Sequence, residues 1–397
     1  MAEAAMVTDE QLEIRALARE FAAGEIRPHV EAWDAARELP GEIFEKLGEL
    51  GFAGMRIPEA YGGLDLDIAS YLLALEALGW GDPAVALALA IHNGPVPGAI
   101  LAHGSEAQKE RWLPELASGE RLAAFALSEP EAGSDPGGLE ARATKTAGGW
   151  QLDGTKRWVT NGDRAGLLLL FARSGSEGGE GRPGGEGISA FLLPRETPGI
   201  EVSGRERTLG FSASETVTLT LDGVEVGDDA LLGGEGEGLR IALGALEIGR
   251  AGVAALALGI AEAAREHALR YADEREQFGS PLSGFGAIQE KLAGMELRVA
   301  QARALLLDVA GELEAGSPGP LATPRSLRAR CALAKIAASE AAMWCSDEAV
   351  QIFGGYGYMR DYPVEKLMRD AKGTEIFEGS NEVLRMLVAR DAVGGAD

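Results

Sequence analysis

Two short stretches carry residues suited to holding a flat, polar ligand. Phe125-Ala126-Leu127-Ser128-Glu-Pro-Glu-Ala-Gly133-Ser134-Asp135 and Lys156-Arg-Trp158-Val159-Thr160-Asn-Gly162 each run from a strand-like segment into small hydroxyl and glycine residues. Main-chain N–H groups and hydroxyls there can approach a ligand that bulky side chains would keep away. Trp158 also suits a hairpin core, and an indole can pack on a sheet and on a ligand at once. A third stretch, Thr374-Glu-Ile-Phe-Glu378-Gly379-Ser380-Asn-Glu382, sets a carboxylate after an apolar pair and before a glycine. On a loop facing apolar side chains, desolvation disfavours the charged form of Glu378 and tunes it as a general base. The same residues also read as a helix start capped by Ser380, and local sequence leaves both readings open.

The elements that must position these stretches fall into three parts, giving a mixed α and β, multi-domain chain. Residues 1–119 read as an N-terminal all-α domain. Thr8-Asp-Glu-Gln11 forms a capping-box signature, Pro40-Gly-Glu-Ile opens a second helix, and residues 68–78 carry apolar side chains at three and four spacing. Residues 120–233 change to a strand period and read as a β-barrel-like middle domain, with Asp153-Gly154 and Asp222-Gly223 as two-residue hairpin turns. Residues 174–187, almost wholly Gly, Glu, Ser and Pro, suit a mobile loop between two strands. Residues 234–397 return to helices. Leu239, Leu243, Leu246, Val253, Leu256 and Ile260 mark one long helix, and further helices over 287–314, 325–353 and from Asn381 argue for a four-helix bundle.

Composition excludes several classes of function. A formal net charge of -25, without clustered Lys and Arg, argues against nucleic acid and against an anionic membrane surface. No apolar run is expected to span a bilayer. The acidic N-terminus lacks the pattern of a leader, and Cys331 and Cys345 stand outside any Cys-x-x-Cys pair. Reduced, buried thiols in a cytoplasmic protein are expected. His29, His92, His103 and His267 show no metal-ligand spacing, so no metal site is expected. Gly149 to Lys156 has the glycine spacing of a phosphate-binding loop, but its final Lys-Thr order is reversed and it sits among strands rather than opening a helix. Gly234-Glu-Gly236-Glu-Gly238 reads as a hinge between domains.

Taken in order, the motifs resemble those of the acyl-CoA dehydrogenases. The resemblance spans nearly the whole chain and includes Arg275-Glu-Gln-Phe278-Gly279, Gln351-Ile-Phe-Gly354-Gly355-Tyr-Gly357 and Pro363-Val-Glu-Lys-Leu-Met-Arg-Asp-Ala371. In Phe125-Ala-Leu-Ser-Glu-Pro and in the Gly249-Arg250 pair it is closest to the short-chain branch. It implies α,β-dehydrogenation of short- to medium-chain acyl-CoA thioesters to trans-2-enoyl-CoA. Glu378 would remove the α-proton, FAD would accept the β-hydrogen, and an electron-transfer flavoprotein would accept the electrons. By position, Phe125 to Ser128, Gly133, Ser134 and Trp158 to Thr160 would hold the flavin ring and pyrophosphate. Arg275, Phe278, Gln351, Gly354 and Gly355 would hold the adenosine half of FAD from a neighbouring subunit of a homotetramer, a dimer of dimers. Ser380 and Glu382 would reach the same cofactor. Ser134, Gly249, Arg250, Gly379 and a loop-like stretch at Glu247 would face the substrate. The thioester oxygen would accept from the Glu378 N–H and from FAD.

Two departures qualify this transfer. Gly286 stands where many relatives carry a glutamine that touches FAD, leaving Gln289 as the replacement. Gly249 occupies the position from which other branches supply the base, so Glu378 is the one carboxylate in a family base position. Two other readings share the sequence: an oxygen-using flavoenzyme of the same fold, such as an acyl-CoA oxidase, and a non-catalytic helical scaffold.

Overall fold

The computed structural model describes residues 7–174, 187–317 and 326–394. The glycine-rich stretch 175–186 and the start of the helix expected from residue 325 lie outside them. Seven helices come first: α1 (Asp9–Phe21), α2 (Val30–Ala36), α3 (Gly41–Glu49), α4 (Ile68–Gly81), α5 (Pro83–Asn93), α6 (Pro95–His103) and α7 (Glu106–Ala117). The Thr8 capping box forms as its sequence predicts, each side chain of the Thr8 and Gln11 pair taking the other's orphan backbone group. Pro40 precedes α3, where its missing N–H is harmless.

Eight strands follow: β1 (Leu122–Ala126), β2 (Arg142–Thr146), β3 (Gly149–Thr160), β4 (Ala165–Arg173), β5 (Ile188–Pro194), β6 (Ile200–Arg205), β7 (Thr216–Val226) and β8 (Leu231–Leu232). They form one sheet in the order β6-β7-β3-β2-β4-β5-β8, with β1 added parallel to β4. Strand alternation gives β4 two jobs. Leu168, Leu170 and Ala172 enter a core that the strands wrap among themselves, whereas Leu167, Leu169 and Phe171 pack against α6, α7 and the helix that follows the sheet.

The Asp-Gly pairs are not hairpin turns. Both lie inside continuous strands, where β3 and β7 pair and the register shifts between Leu152 and Gly154. Gly154 (φ 145°) could not carry a side chain, since a Cβ would stand 2.7 Å from that of Ala141, and the Asp153 carboxylate accepts the Gly223 N–H at 2.8 Å. A bulge needs the same positive φ as a tight turn, so the dipeptide signals both.

The last third contains α8 (Gly238–Glu274), a short hairpin of β9 (Glu276–Gln277) and β10 (Ser280–Pro281), α9 (Gly286–Ala315), α10 (Leu327–Phe353), α11 (Pro363–Thr374) and α12 (Asn381–Ala392). Helices α8, α9 and α10 pack on one another, and α11 and α12 pack on α10. The first and last thirds share one continuous core, with α4 and α5 against the Ala- and Gly-rich middle of α8. Two helical stretches, Pro83–His103 and Gly238–Glu274, are long and apolar enough to cross a bilayer, contrary to the sequence expectation, but most of each is buried inside the protein. Cys331 and Cys345 are free and buried in α10.

A buried ion cluster ties the three parts together. Lys366 on α11 donates to Asp370 at 2.7 Å and to Asp82, the N-cap of α5, at 3.4 Å. Asp370 in turn accepts the N–H of Phe211, which precedes β7. Burial alone would lower the Lys366 pKa, yet the two aspartates raise it, so the ammonium stays charged. Removing one partner of such a cluster leaves buried charge uncompensated, at a cost of about 3–5 kcal/mol. Lys366→Met should lower unfolding stability by that amount in urea denaturation, and a loss below about 1 kcal/mol would contradict the role assigned to the cluster.

Candidate active site

Glu378 sits on the turn between α11 and α12, in the left-handed region at φ 55°, followed by Gly379 at φ 94°. The turn is fixed from several sides. Phe377 packs edge-on against Phe211 with ring centroids 5.3 Å apart. Arg250 on α8 directs Nε at the Glu378 carbonyl at 3.4 Å, a long contact, and Ser380 caps α12 as its sequence position allows. The carboxylate points at α8. A Cβ on Gly249 would stand 2.9 Å from Glu378 Oε2, so the absent side chain makes the space the carboxylate occupies.

Two polar atoms in this niche are buried without a partner: Glu378 Oε2 and Arg250 Nη1. Buried polar groups are ordinarily paired, so two such atoms on residues that touch at the Glu378 carbonyl mark a place where a ligand belongs. The Glu378 N–H likewise donates to no described residue. Burial raises the Glu378 carboxyl to about 7, with the Arg250 and Lys335 cations pulling it back. A carboxyl poised there can take a proton at neutral pH and release it.

The two stretches nearer the sheet converge through a second buried ion pair, which the sequence reading did not assign. Lys156 donates to Glu129 at 2.6 Å and to the Leu127 carbonyl at 3.0 Å, and the Arg157 N–H reaches the Ser128 carbonyl at 2.9 Å. Burial lowers Lys156 to about 8, against the pull of Glu129. A bulge between Lys156 and Val159 turns Trp158 outward at φ 58°, leaving the indole 49% exposed and facing Gly133. A bulky residue at positive φ is strained, and strain of this kind gathers at functional sites. Ser128 and Thr160 are half-buried, and Gly133 and Ser134 are exposed. Phe125 leans on Phe171 with centroids 5.1 Å apart. Ala126, Leu127 and Val159 are buried in the sheet core, so only their backbone can meet a ligand.

A separate groove of about 460 Å³ is lined by Arg275, Gln277, Gly354, Gly355, Tyr356 and Met359 together with apolar neighbours. Nothing lies within 4 Å of a Cβ built on Gly354 or Gly355, leaving room for a ligand against bare backbone. None of the residues from 125–134 or 158–160 lines this groove. Phe278, beside Arg275, is 96% exposed at φ 53°. Gln351 is exposed at the end of α10, and Glu382 is exposed on α12. Glu247 is not on a loop: it lies within α8, half-buried, 3.8 Å from Arg328. Its neighbour Ile248 extends the continuous helix, because the single Gly249 does not interrupt so long an apolar pattern. Gln289 donates to the Ser283 carbonyl at 3.0 Å, closing its own turn.

Three family models cover the chain in order: the N-terminal domain of acyl-CoA dehydrogenase over residues 8–120, its middle domain over 124–224 and its C-terminal domain over 236–393. The chain belongs to the acyl-CoA dehydrogenase family. It is 42% identical to an acyl-CoA dehydrogenase of Bacillus subtilis over 389 residues, covering 98% of this chain and 99% of that one. It superposes on butyryl-CoA dehydrogenase from Megasphaera elsdenii with a TM-score of 0.92 at 39% identity, covering 99% of this chain and 100% of that one. A structure described as the electron transferring flavoprotein of Acidaminococcus fermentans holds a chain with a TM-score of 0.92 and 38% identity, covering 98% of this chain and 99% of that one. Acyl-CoA dehydrogenases are FAD-dependent oxidoreductases. The outward indole, the bare glycine backbone and the Arg275 groove fit that cofactor.

The position of Glu378 near 7 has two consequences for pH. A general base acts deprotonated, so with Glu378 in that role kcat/KM of the FAD-loaded enzyme should rise with pH through a midpoint near 7. A midpoint at an ordinary carboxylate value would contradict the desolvated niche. For stability the sign is opposite. The folded pKa exceeds the unfolded value of about 4.3, so the niche costs stability as pH rises from about 4 to 7, and not below.

Proposed function

We propose that this acyl-CoA dehydrogenase introduces a trans double bond between Cα and Cβ of short- to medium-chain acyl-CoA thioesters in the cytoplasm, with an electron-transfer flavoprotein as acceptor. The observation that carries the reading is the Glu378 carboxylate, whose Oε2 is buried over Gly249 without a partner, with Arg250 Nη1 also buried and unpartnered. When bound, FAD supplies the acceptor for two electrons and the β-hydrogen. Glu378 takes the α-proton. Its free N–H meets the thioester oxygen as negative charge develops there, the oxyanion-hole arrangement that makes a weak C–H acid ionisable. Packing of Phe377 on Phe211 holds the turn that carries the carboxylate. Trp158 would pack on the flavin ring with Ser128 and Thr160 at its edge, and Arg275 with Gly354 and Gly355 would receive the adenosine half.

Chain length is supported by Tyr71, which is fully buried on α4. A Cβ on either Gly94 or Gly252 would stand 3.2 Å from its phenol oxygen, and Gly252 lies one helical turn beyond Gly249. The phenol therefore closes the space next to the base. Each methylene that finds room adds about 0.8 kcal/mol, and those that do not are rejected. The separation of the Arg275 groove from the flavin-side residues, with Phe278 and Tyr358 (82%) left exposed, supports a homotetramer, a dimer of dimers in which a partner completes each cofactor site.

In Glu378→Gln, FAD content and thioester binding should persist while anaerobic bleaching of the flavin by butyryl-CoA slows by at least about 100-fold. A rate within about threefold of wild type rejects the base. With the wild-type protein, butyryl-CoA should outrun palmitoyl-CoA, and a specificity constant that keeps climbing to palmitoyl-CoA rejects the Tyr71 limit. Bleaching by butyryl-CoA also rejects a scaffold, and slow reoxidation of the bleached protein in air rejects an oxidase. Light scattering with flavin absorbance should find FAD only on the oligomer. A stable monomer carrying a full equivalent would contradict the shared site.

A further inference from the structure

Lys335 interrupts the alanine-rich run Ala332-Leu-Ala-Lys335-Ile-Ala-Ala338 of α10. Its side chain is completely buried. An unpaired ammonium in such a place is costly, so its partners explain why it is there. Nζ donates to the Gly379 carbonyl and to Asn381 Oδ1, both at 2.9 Å. Asn381 is itself held by Ser339, to which its Nδ2 donates at 3.0 Å, and Ser339 donates to the Ile336 carbonyl at 3.1 Å. The carbonyls of two successive residues are thus gripped from opposite helices, Glu378 by Arg250 of α8 and Gly379 by Lys335 of α10. Both residues hold positive φ. A non-glycine residue keeps such a conformation only where its surroundings over-determine it.

We propose that Lys335 is a positioning residue for the reaction: its ammonium clamps the Gly379 carbonyl and sets a compensating positive charge near the Glu378 carboxylate. This deepens the reading of Glu378 as the base and rests on it. The charged and titratable groups around the carboxylate are Arg250 from α8, Lys335 from α10 and the Tyr71 phenol from α4. Around the ammonium are Glu378, Glu375, Glu382 and Arg250. Burial pushes Lys335 down to about 7, and Glu378 is foremost among the groups that draw it back up. The two groups therefore support each other's ionisation in a pocket that opposes both. Tethering by Asn381 and Ser339 is what a point charge on a flexible stem needs in order to act at a fixed place.

The test compares the FAD-loaded wild type with Lys335→Met and Lys335→Arg. Bleaching of the wild type by butyryl-CoA is measured first, and failure there defeats the functional reading without bearing on Lys335. Infrared difference titration of the protonated Glu378 carboxyl, with Glu378→Gln as the blank, then reads its midpoint in the absence of substrate. In Lys335→Met the midpoint should move up by about one pH unit, with the acid limb of flavin reduction moving equally and the rate at pH 7 falling about fivefold. Lys335→Arg should hold the midpoint. If methionine disturbs folding, Lys335→Gln, which keeps a donor for Gly379 but no charge, must show the same upward shift. An unshifted midpoint in the neutral variants, even with a uniformly slower rate, leaves Lys335 a packing role only and overturns the proposal.

Discussion

The site depends on keeping a carboxylate out of water without silencing it. Glu378 lies in a niche that exists because Gly249 has no side chain, and burial there raises its proton affinity to about 7. Each neighbouring feature limits that rise or holds the carboxylate in place. Arg250 and Lys335 contribute opposing charge, Phe211 and Phe377 contribute apolar packing, and the left-handed turn aims the side chain. The Lys366 cluster sits behind the turn, bracing Phe211 through Asp370 and joining the helices to the sheet. The position of one carboxylate is thereby coupled to the packing of all three parts of the chain.

The cofactor side obeys a different constraint, exposure rather than burial. A large planar ligand needs faces left open, and the chain leaves them open by straining its backbone. Trp158, Phe278 and Glu378 are three of the seven non-glycine residues at positive φ among the described residues. All three lie in the stretches on which the sequence resembles the acyl-CoA dehydrogenases. Two of them expose their rings, and the buried Lys156–Glu129 pair beneath Trp158 keeps the strained bulge from relaxing.

Much of this was legible in the sequence because it is local. The Thr8 capping box, Pro40 before α3 and the apolar period of α8 depend on residues within a turn or two of each other. Local sequence left Glu378 open between a pocket loop and a helix start capped by Ser380, and both hold, since the turn carries the carboxylate while Ser380 caps α12. What escaped depends on contacts between distant segments. Asp153-Gly154 and Asp222-Gly223 carry a true signal for positive φ, but only the pairing of β3 with β7 decides between bulge and turn. Lys335 and Tyr71 are buried polar groups with apolar sequence neighbours, and their meaning lies in Gly379, Gly94 and Gly252, all more than twenty residues away. A lysine inside an alanine-rich helical run was the available signal for the first. The apolar stretches 83–103 and 238–274 show the converse, since a helix buried on all sides by its own protein has the composition of one buried in lipid.

The niche above Gly249 can be closed by a single methyl group. In Gly249→Ala the added methyl would stand 2.9 Å from Glu378 Oε2, so the carboxylate must move. Stopped-flow flavin reduction by butyryl-CoA should slow by about 10- to 100-fold, as expected when a reacting group is displaced by an ångström, while FAD content and thioester affinity stay close to wild type. Reduction at the wild-type rate would contradict the account.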